Sequence, residues 1–198
     1  MRIVAIVCAV ALQAAIFSSL WIISDAPGYG LVALIVLLTV WVTAEACCQR
    51  RYADHPGRRD DADGMSILTG YLVFGSLIFA CIGPFQMHGI DWPSSLAMTI
   101  AGAVMAMTGV YLRCAAIAKL GRFFHNDIAL SPTQTRVTSG IYRYLRHPSE
   151  IGTVLATSGT CLAAGSPVAA VIAIAFLSPV AMYRCKLENT LMDRGLTH

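Results

Sequence analysis

Apolar residues run along this chain in long blocks broken by short polar stretches. The first block extends from Ile3 to Ile23 and is interrupted by Asp25-Ala26-Pro27-Gly28. A second runs from Tyr29 to Cys48 and gives way to the charged stretch Gln49 to Gly64. A third covers Ser66 to Met87, the polar hinge His88-Gly89-Ile90-Asp91-Trp92-Pro93 follows it, and a fourth covers Ser94 to Leu120. Each is long enough to cross a bilayer, which takes about 20 mostly apolar residues. The first also exceeds the apolar region of a secretory signal, about 7 to 15 residues, and reads as a retained helix. Gly121 to His147 is the most polar stretch of the C-terminal half. Two shorter blocks come after it, Ile151 to Ala164 and Val168 to Met182, separated only by Gly165-Ser166-Pro167. They predict a helical hairpin, in which Pro179 removes a backbone donor and kinks the last helix near its charged end.

The pattern predicts an all-α, polytopic integral-membrane bundle of about six apolar segments, the last two forming a short hairpin. Composition agrees: 57% of the 198 residues are hydrophobic and 13% charged, against about a quarter charged in soluble domains. Six spans would use roughly 120 residues, which excludes a separate soluble catalytic domain and a nucleotide-binding fold of alternating strands and helices. We expect a single transmembrane domain over residues 1–198, with four N-terminal spans in 1–120 and a functional connection, hairpin and tail in 121–198. Within the fourth block, Gly102-x-x-x-Ala106 and Met105-x-x-x-Gly109 place small residues where they permit close helix contact. Met98, Met105 and Met107 read as core packing in preference to a lipid-accessible groove. The seven cysteines, Cys8, Cys47, Cys48, Cys81, Cys114, Cys161 and Cys185, lack the paired spacing of a disulfide framework or a zinc site and read as small packing residues. Glu45 sits near the end of its block, where it can reach water. With no internal repeat and no charge deep in a span, nothing marks a transport path.

The net charge of +3 says less than the placement of the 14 basic residues, and it does not point to nucleic acid. Arg2 precedes the first block, while Arg50, Arg51, Arg58 and Arg59 lie in the second connection. Arg113, Lys119, Arg122, Arg136, Arg143 and Arg146 fall around the fourth connection, and Arg184, Lys186 and Arg194 in the tail. In a six-span topology all 14 lie on one side. The positive-inside rule then places both termini, the fourth connection and the tail in the cytoplasm.

That connection holds the candidate chemistry. His125 and His147 lack a third or fourth close ligand, so no metal is expected. Arg143 and Arg146, with Tyr142, Tyr144 and His147, suit either a carboxylate- or phosphate-bearing ligand with a planar ring, or an interfacial belt on anionic lipid. Pro148 disfavours helix at the residue before it and favours the first helical position, so a helix should begin immediately after His147. Its N-terminus suits an anionic group, and Glu150 in the first turn fits the helix dipole as an ordinary structural residue. Arg184 and Glu188, four apart, form either a surface ion pair or a ligand-binding pair.

Gly140, Tyr142, Arg146, His147 and Pro148, followed by the hairpin and then by Arg184 and Glu188, resemble the signature of the integral-membrane methyltransferases. These include isoprenylcysteine carboxyl methyltransferase and the phospholipid N-methyltransferases. The resemblance covers roughly the C-terminal third. It differs in two places: Glu150 stands where an aromatic residue commonly follows Arg-His-Pro-x, and Asn189 replaces the second acid of a Glu-Glu pair. The resemblance implies S-adenosylmethionine as cofactor and methyl transfer to a lipophilic or lipidated acceptor at the cytoplasmic face, by way of a carboxylate, amine or thiol. It implies that Val137, Gly140, Tyr142, Arg146, His147, Pro148 and Glu188 surround the cofactor. Arg184 would orient the acceptor, and Glu188 would face the cofactor's positive end or accept a proton. The alternatives are a nicotinamide-dependent membrane reductase of the sterol reductase type and a non-catalytic lipid-binding subunit.

Overall fold

A computed structural model describes residues 29–52, 65–86, 96–121, 124 and 137–195. The expected first span, the hinge at 88–93 and most of the connection at 122–136, including His125, lie outside these residues. Five helices are described: α1 (Tyr29–Tyr52), α2 (Met65–Gln86), α3 (Leu96–Leu120), α4 (Pro148–Ala163) and α5 (Pro167–Gly195), with a 3-10 turn at Gly140–Arg143. No strand occurs among the described residues. Three helices are long and apolar enough to cross a membrane, through Val32–Arg51, Leu96–Leu120 and Pro167–Thr190. The expected count of six segments is therefore not established by the described helices.

α4 is the axis of the bundle. Its 16 residues span only about 24 Å, yet it touches all four other helices. Thr157, Ser158 and Thr160 are buried on it, and each returns its hydroxyl proton to the carbonyl four residues back, at 2.9, 2.6 and 2.7 Å. This local bonding lets polar side chains sit in an apolar core. The most extensive contact is between α3 and α4, built from Gly102, Ala106 and Gly109 against Gly152, Ala156, Gly159 and Ala163. A Cβ on Gly109 would come within 2.6 Å of the Gly152 carbonyl oxygen, and one on Gly159 within 2.8 Å of the Gly102 oxygen. The small-residue pattern thus continues onto the partner helix, and backbones approach directly. Of the three methionines, Met98 and Met105 are partly buried, but Met107 is 44% exposed and faces outward beside Val104 and Tyr111. Core packing is wrong for Met107, because the interface is taken by the glycines on the opposite face of α3.

The expected hairpin forms. α4 ends with Ser166 N–H donating to Cys161 O at 3.1 Å and Gly165 N–H to Leu162 O at 3.0 Å. Gly165, at φ +85°, takes the left-handed position that this double closure requires. Pro167 opens α5 where a missing N–H costs nothing. α5 continues without interruption through Pro179 to Gly195, so the segment beyond Met182 is helix and carries Arg184 and Glu188 on one face.

Candidate functional site

The site forms where the N-terminus of α4 meets the C-terminal half of α5. His147 is the residue before α4, with φ −131° and ψ 65°, and Pro148 is its first helical residue, as the dipeptide predicts. Pro148 is fully buried. Upstream, Gly140 at φ +68° starts the 3-10 turn, and a Cβ added there would meet the Lys119 stem at 3.4 Å, which places the turn beside the end of α3.

Two crossed charge pairs join the helices. His147 Nδ1 lies 3.4 Å from Glu188 Oε2, and Arg184 Nε lies 3.3 Å from Glu150 Oε1. The expected alternative of an ion pair between Arg184 and Glu188 does not form, because each finds an opposite charge on α4. Arg184 also donates from Nη1 to Thr69 Oγ1 at 3.3 Å, reaching α2. Asn189 Nδ2 is 3.3 Å from His147 Nε2. Hydrogen bonding to Cys185, then to Glu188, pushes the His147 pKa up to about 9, so the ring is an imidazolium at neutral pH. Burial raises the Tyr142 phenol well above its ordinary range, and the Glu188 charge adds to the shift. Tyr142, His147 and Glu188 therefore share one polar face.

Other residues of the predicted cluster point elsewhere. Arg146 is exposed, and Arg143 lies over the exposed Tyr144 ring, 5.9 Å from its centroid. Val137 lies on the connection before the turn and Gly140 is the turn's first residue. The arginines therefore do not converge with His147 on one pocket.

On the other side of the charge pairs lies a cavity of about 420 Å³. Leu38, Val73, Phe74 and Leu77 supply apolar walls from α1 and α2, while Glu45, Arg113, Glu150 and Arg184 line its polar end. Glu45 and Arg113 form a two-pronged pair: Arg113 Nε donates to Oε2 at 2.9 Å and Nη2 to Oε1 at 2.7 Å. Trp41 and Gln49 also donate to Glu45, at 2.9 and 3.0 Å. Arg113 Nη1 reaches Ser149 and Thr153 on α4 at 3.0 and 2.9 Å.

The expectation that Glu45 reaches water at the end of its block is thus corrected, since it meets Arg113 of α3 instead. Both side chains are largely buried, at 18% and 15% exposure, because each satisfies the other. Two ionisable residues inside apolar blocks were the available signal. Their separation of 68 residues hid the pairing.

Among the described residues no group of three His, Cys, Asp or Glu side chains could hold a metal ion. The model of the phospholipid methyltransferase family matches residues 97–197, just over half of the chain and well beyond the C-terminal third that carries the motif. The chain belongs to this family. The human protein-S-isoprenylcysteine O-methyltransferase is 34% identical over 92 residues, covering 44% of this chain and 32% of that protein. Protein-S-isoprenylcysteine O-methyltransferase A of Arabidopsis thaliana is 38% identical over 72 residues, covering 35% of this chain and 36% of its own. The matched region spans about a third of the length of these relatives. No solved structure matches the chain. In this phospholipid methyltransferase family member, the matched segment contains α3 from its second residue, the connection, the hairpin and the crossed charge pairs.

Proposed function

We propose that this membrane protein transfers a methyl group from S-adenosylmethionine to a lipophilic acceptor at the cytoplasmic face. The observation that carries this reading is the junction of α4 and α5, which sets a polar, charged face against an apolar cavity through two ion pairs. Family membership supplies the reaction class. The names of the relatives favour a prenylcysteine-like acceptor on a lipidated protein, and a lipid amine or thiol would also fit an apolar cavity. The clustering of basic residues supports a cytoplasmic site.

The side chains present suit the cofactor. His147, as an imidazolium, would hold its carboxylate, with the first turn of α4 adding backbone donors. Tyr142 would pack against its ring system, with Val137, Gly140 and Arg146 closing the connection around it. Glu188 would balance its positive charge while restraining His147. When bound, the cofactor supplies an activated methyl group. The protein supplies alignment, exclusion of water by the apolar walls and neutralisation of charge. Arg184, fixed between Glu150 and Thr69, would set the orientation of the acceptor.

Calorimetric titration of detergent-solubilised protein with S-adenosylmethionine or its demethylated product tests this directly. Saturable binding is expected in wild type, weakened at least tenfold in His147→Ala and Glu188→Ala. A folded wild type that binds neither, while binding a nicotinamide cofactor or anionic lipid alone, would replace this reading with the reductase or lipid-binding one.

A further inference from the structure

The cavity beside the crossed pairs has a polar end, two apolar walls and a closed far end. Its α1 wall runs from Glu45 to Leu38, and its α2 wall from Thr69 to Leu77. Arg184 donates to Thr69, so the polar end lies level with the charge pairs. Leu38 and Leu77 are buried, and the next residues on the same helix faces, Leu34 and Ala80, are each 1% exposed. All four belong to one core cluster with Val110, Ala156 and Cys161. Cys161 Sγ donates to the Ser76 carbonyl at 3.6 Å, which ties α2 to α4 one residue before Leu77. The far end is therefore a packed floor. Phe74 lines the same cavity yet is exposed, which marks a side mouth between α1 and α2.

Leu38 stands seven residues from Glu45, and Leu77 eight from Thr69, so at about 1.5 Å of rise per residue the cavity is about 10–12 Å deep. A fully extended chain advances roughly 3.5 Å for every three single bonds, so an isoprene unit, with its four chain bonds, covers roughly 4.5–5 Å. Two such units reach the floor, and a third finds no room. Resting on the methyltransferase reading above, we propose that this cavity gauges the length of the acceptor's tail, with Leu38 and Leu77 as the specificity-determining residues that admit about two isoprene units. A third unit has to turn aside past Phe74 or spread the packed leucines, and overpacking such a site is unfavourable. A shorter tail leaves apolar wall uncovered and buries less surface. Both leucines lie outside the matched residues 97–197, so the gauge belongs to this chain's α1 and α2 and not to the matched segment.

Three probes share one head group and differ only in the tail: N-acetyl-S-geranyl-cysteine, N-acetyl-S-farnesyl-cysteine and N-acetyl-S-geranylgeranyl-cysteine. Calorimetric binding of each to the full chain in detergent, corrected for partition into empty micelles, is expected to favour the geranyl probe at least tenfold over the geranylgeranyl one. The farnesyl probe should fall between them. Leu77→Ala should deepen the space and move the preference at least fivefold toward the farnesyl probe, and Leu38→Ala should do the same from the opposite wall. Leu77→Met, which conserves volume, should keep the wild-type order. Equal binding of the three tails by wild type, tightest binding of either longer tail, binding of none, or an order unchanged in both alanine variants would overturn the proposal. Should the alanine variants fail to purify, the wild-type order still decides. A chain that ranks the tails as expected but binds no methyl donor would sink the methyltransferase reading alone, and one that binds the donor but ranks the tails equally would sink the gauge alone.

Discussion

His147 joins the backbone start of α4 to the charge of Glu188, and its protonation is a stability term. Its folded pKa of about 9 exceeds the ordinary value of 6.5, so the contribution is complete below about pH 6.5 and disappears as pH rises through about 9. The difference in melting temperature between wild type and His147→Gln should be largest near pH 6 and shrink toward pH 10. A difference that stays flat would remove the imidazolium from this role. The pair of Glu45 and Arg113 makes a second prediction. Removing one member of a buried pair costs roughly 3–5 kcal/mol, so Glu45→Ala should lose that much stability in a denaturant titration. The double variant with Arg113→Ala should lose less than the sum of the two single variants. His147 was readable as a helix start because Pro148 acts on its immediate neighbour. The pairing of Glu45 with Arg113 was not, because it depends on two helices meeting.

Among the elements, α3 and α4 carry the sharpest steric demand. Gly109→Ala would drive a methyl group into the α4 backbone, and neither helix can yield without moving the first turn of α4 and Glu150 with it. A loss at or beyond the upper end of the roughly 1–3 kcal/mol typical of overpacking is expected, measured as a fall in thermal stability. Gly75→Ala, with nothing within 4 Å of the new methyl, should be tolerated and serves as the control. The small residues of α3 were visible in its sequence, but their complement on α4 lay in a segment first read only as apolar. The extent of α5 was left open by the sequence, since the hydrophobic block ends near Met182 while the helix continues to Gly195.

For the whole molecule, the crossed charge pairs, the polar face and the clustered arginines should share one side of the membrane. A cysteine replacing the exposed Thr190, in a background cleared of reactive thiols, is expected to react with an impermeant maleimide only from the cytoplasmic side. Labelling from the opposite side would reverse the proposed orientation. Local and additive properties were determined by the sequence alone: the helical class, the apolar blocks, the start of α4 at Pro148 and the hairpin turn. Each depends on neighbouring residues or on composition. Only the tertiary structure decided that Arg184 pairs with Glu150 and Glu188 with His147, that Glu45 meets Arg113, and that a cavity opens beside them. Those contacts arise from the relative rotation and approach of separate helices. Between α3 and α4 that approach is set by glycine-to-backbone packing, which a one-dimensional pattern of apolar residues leaves open.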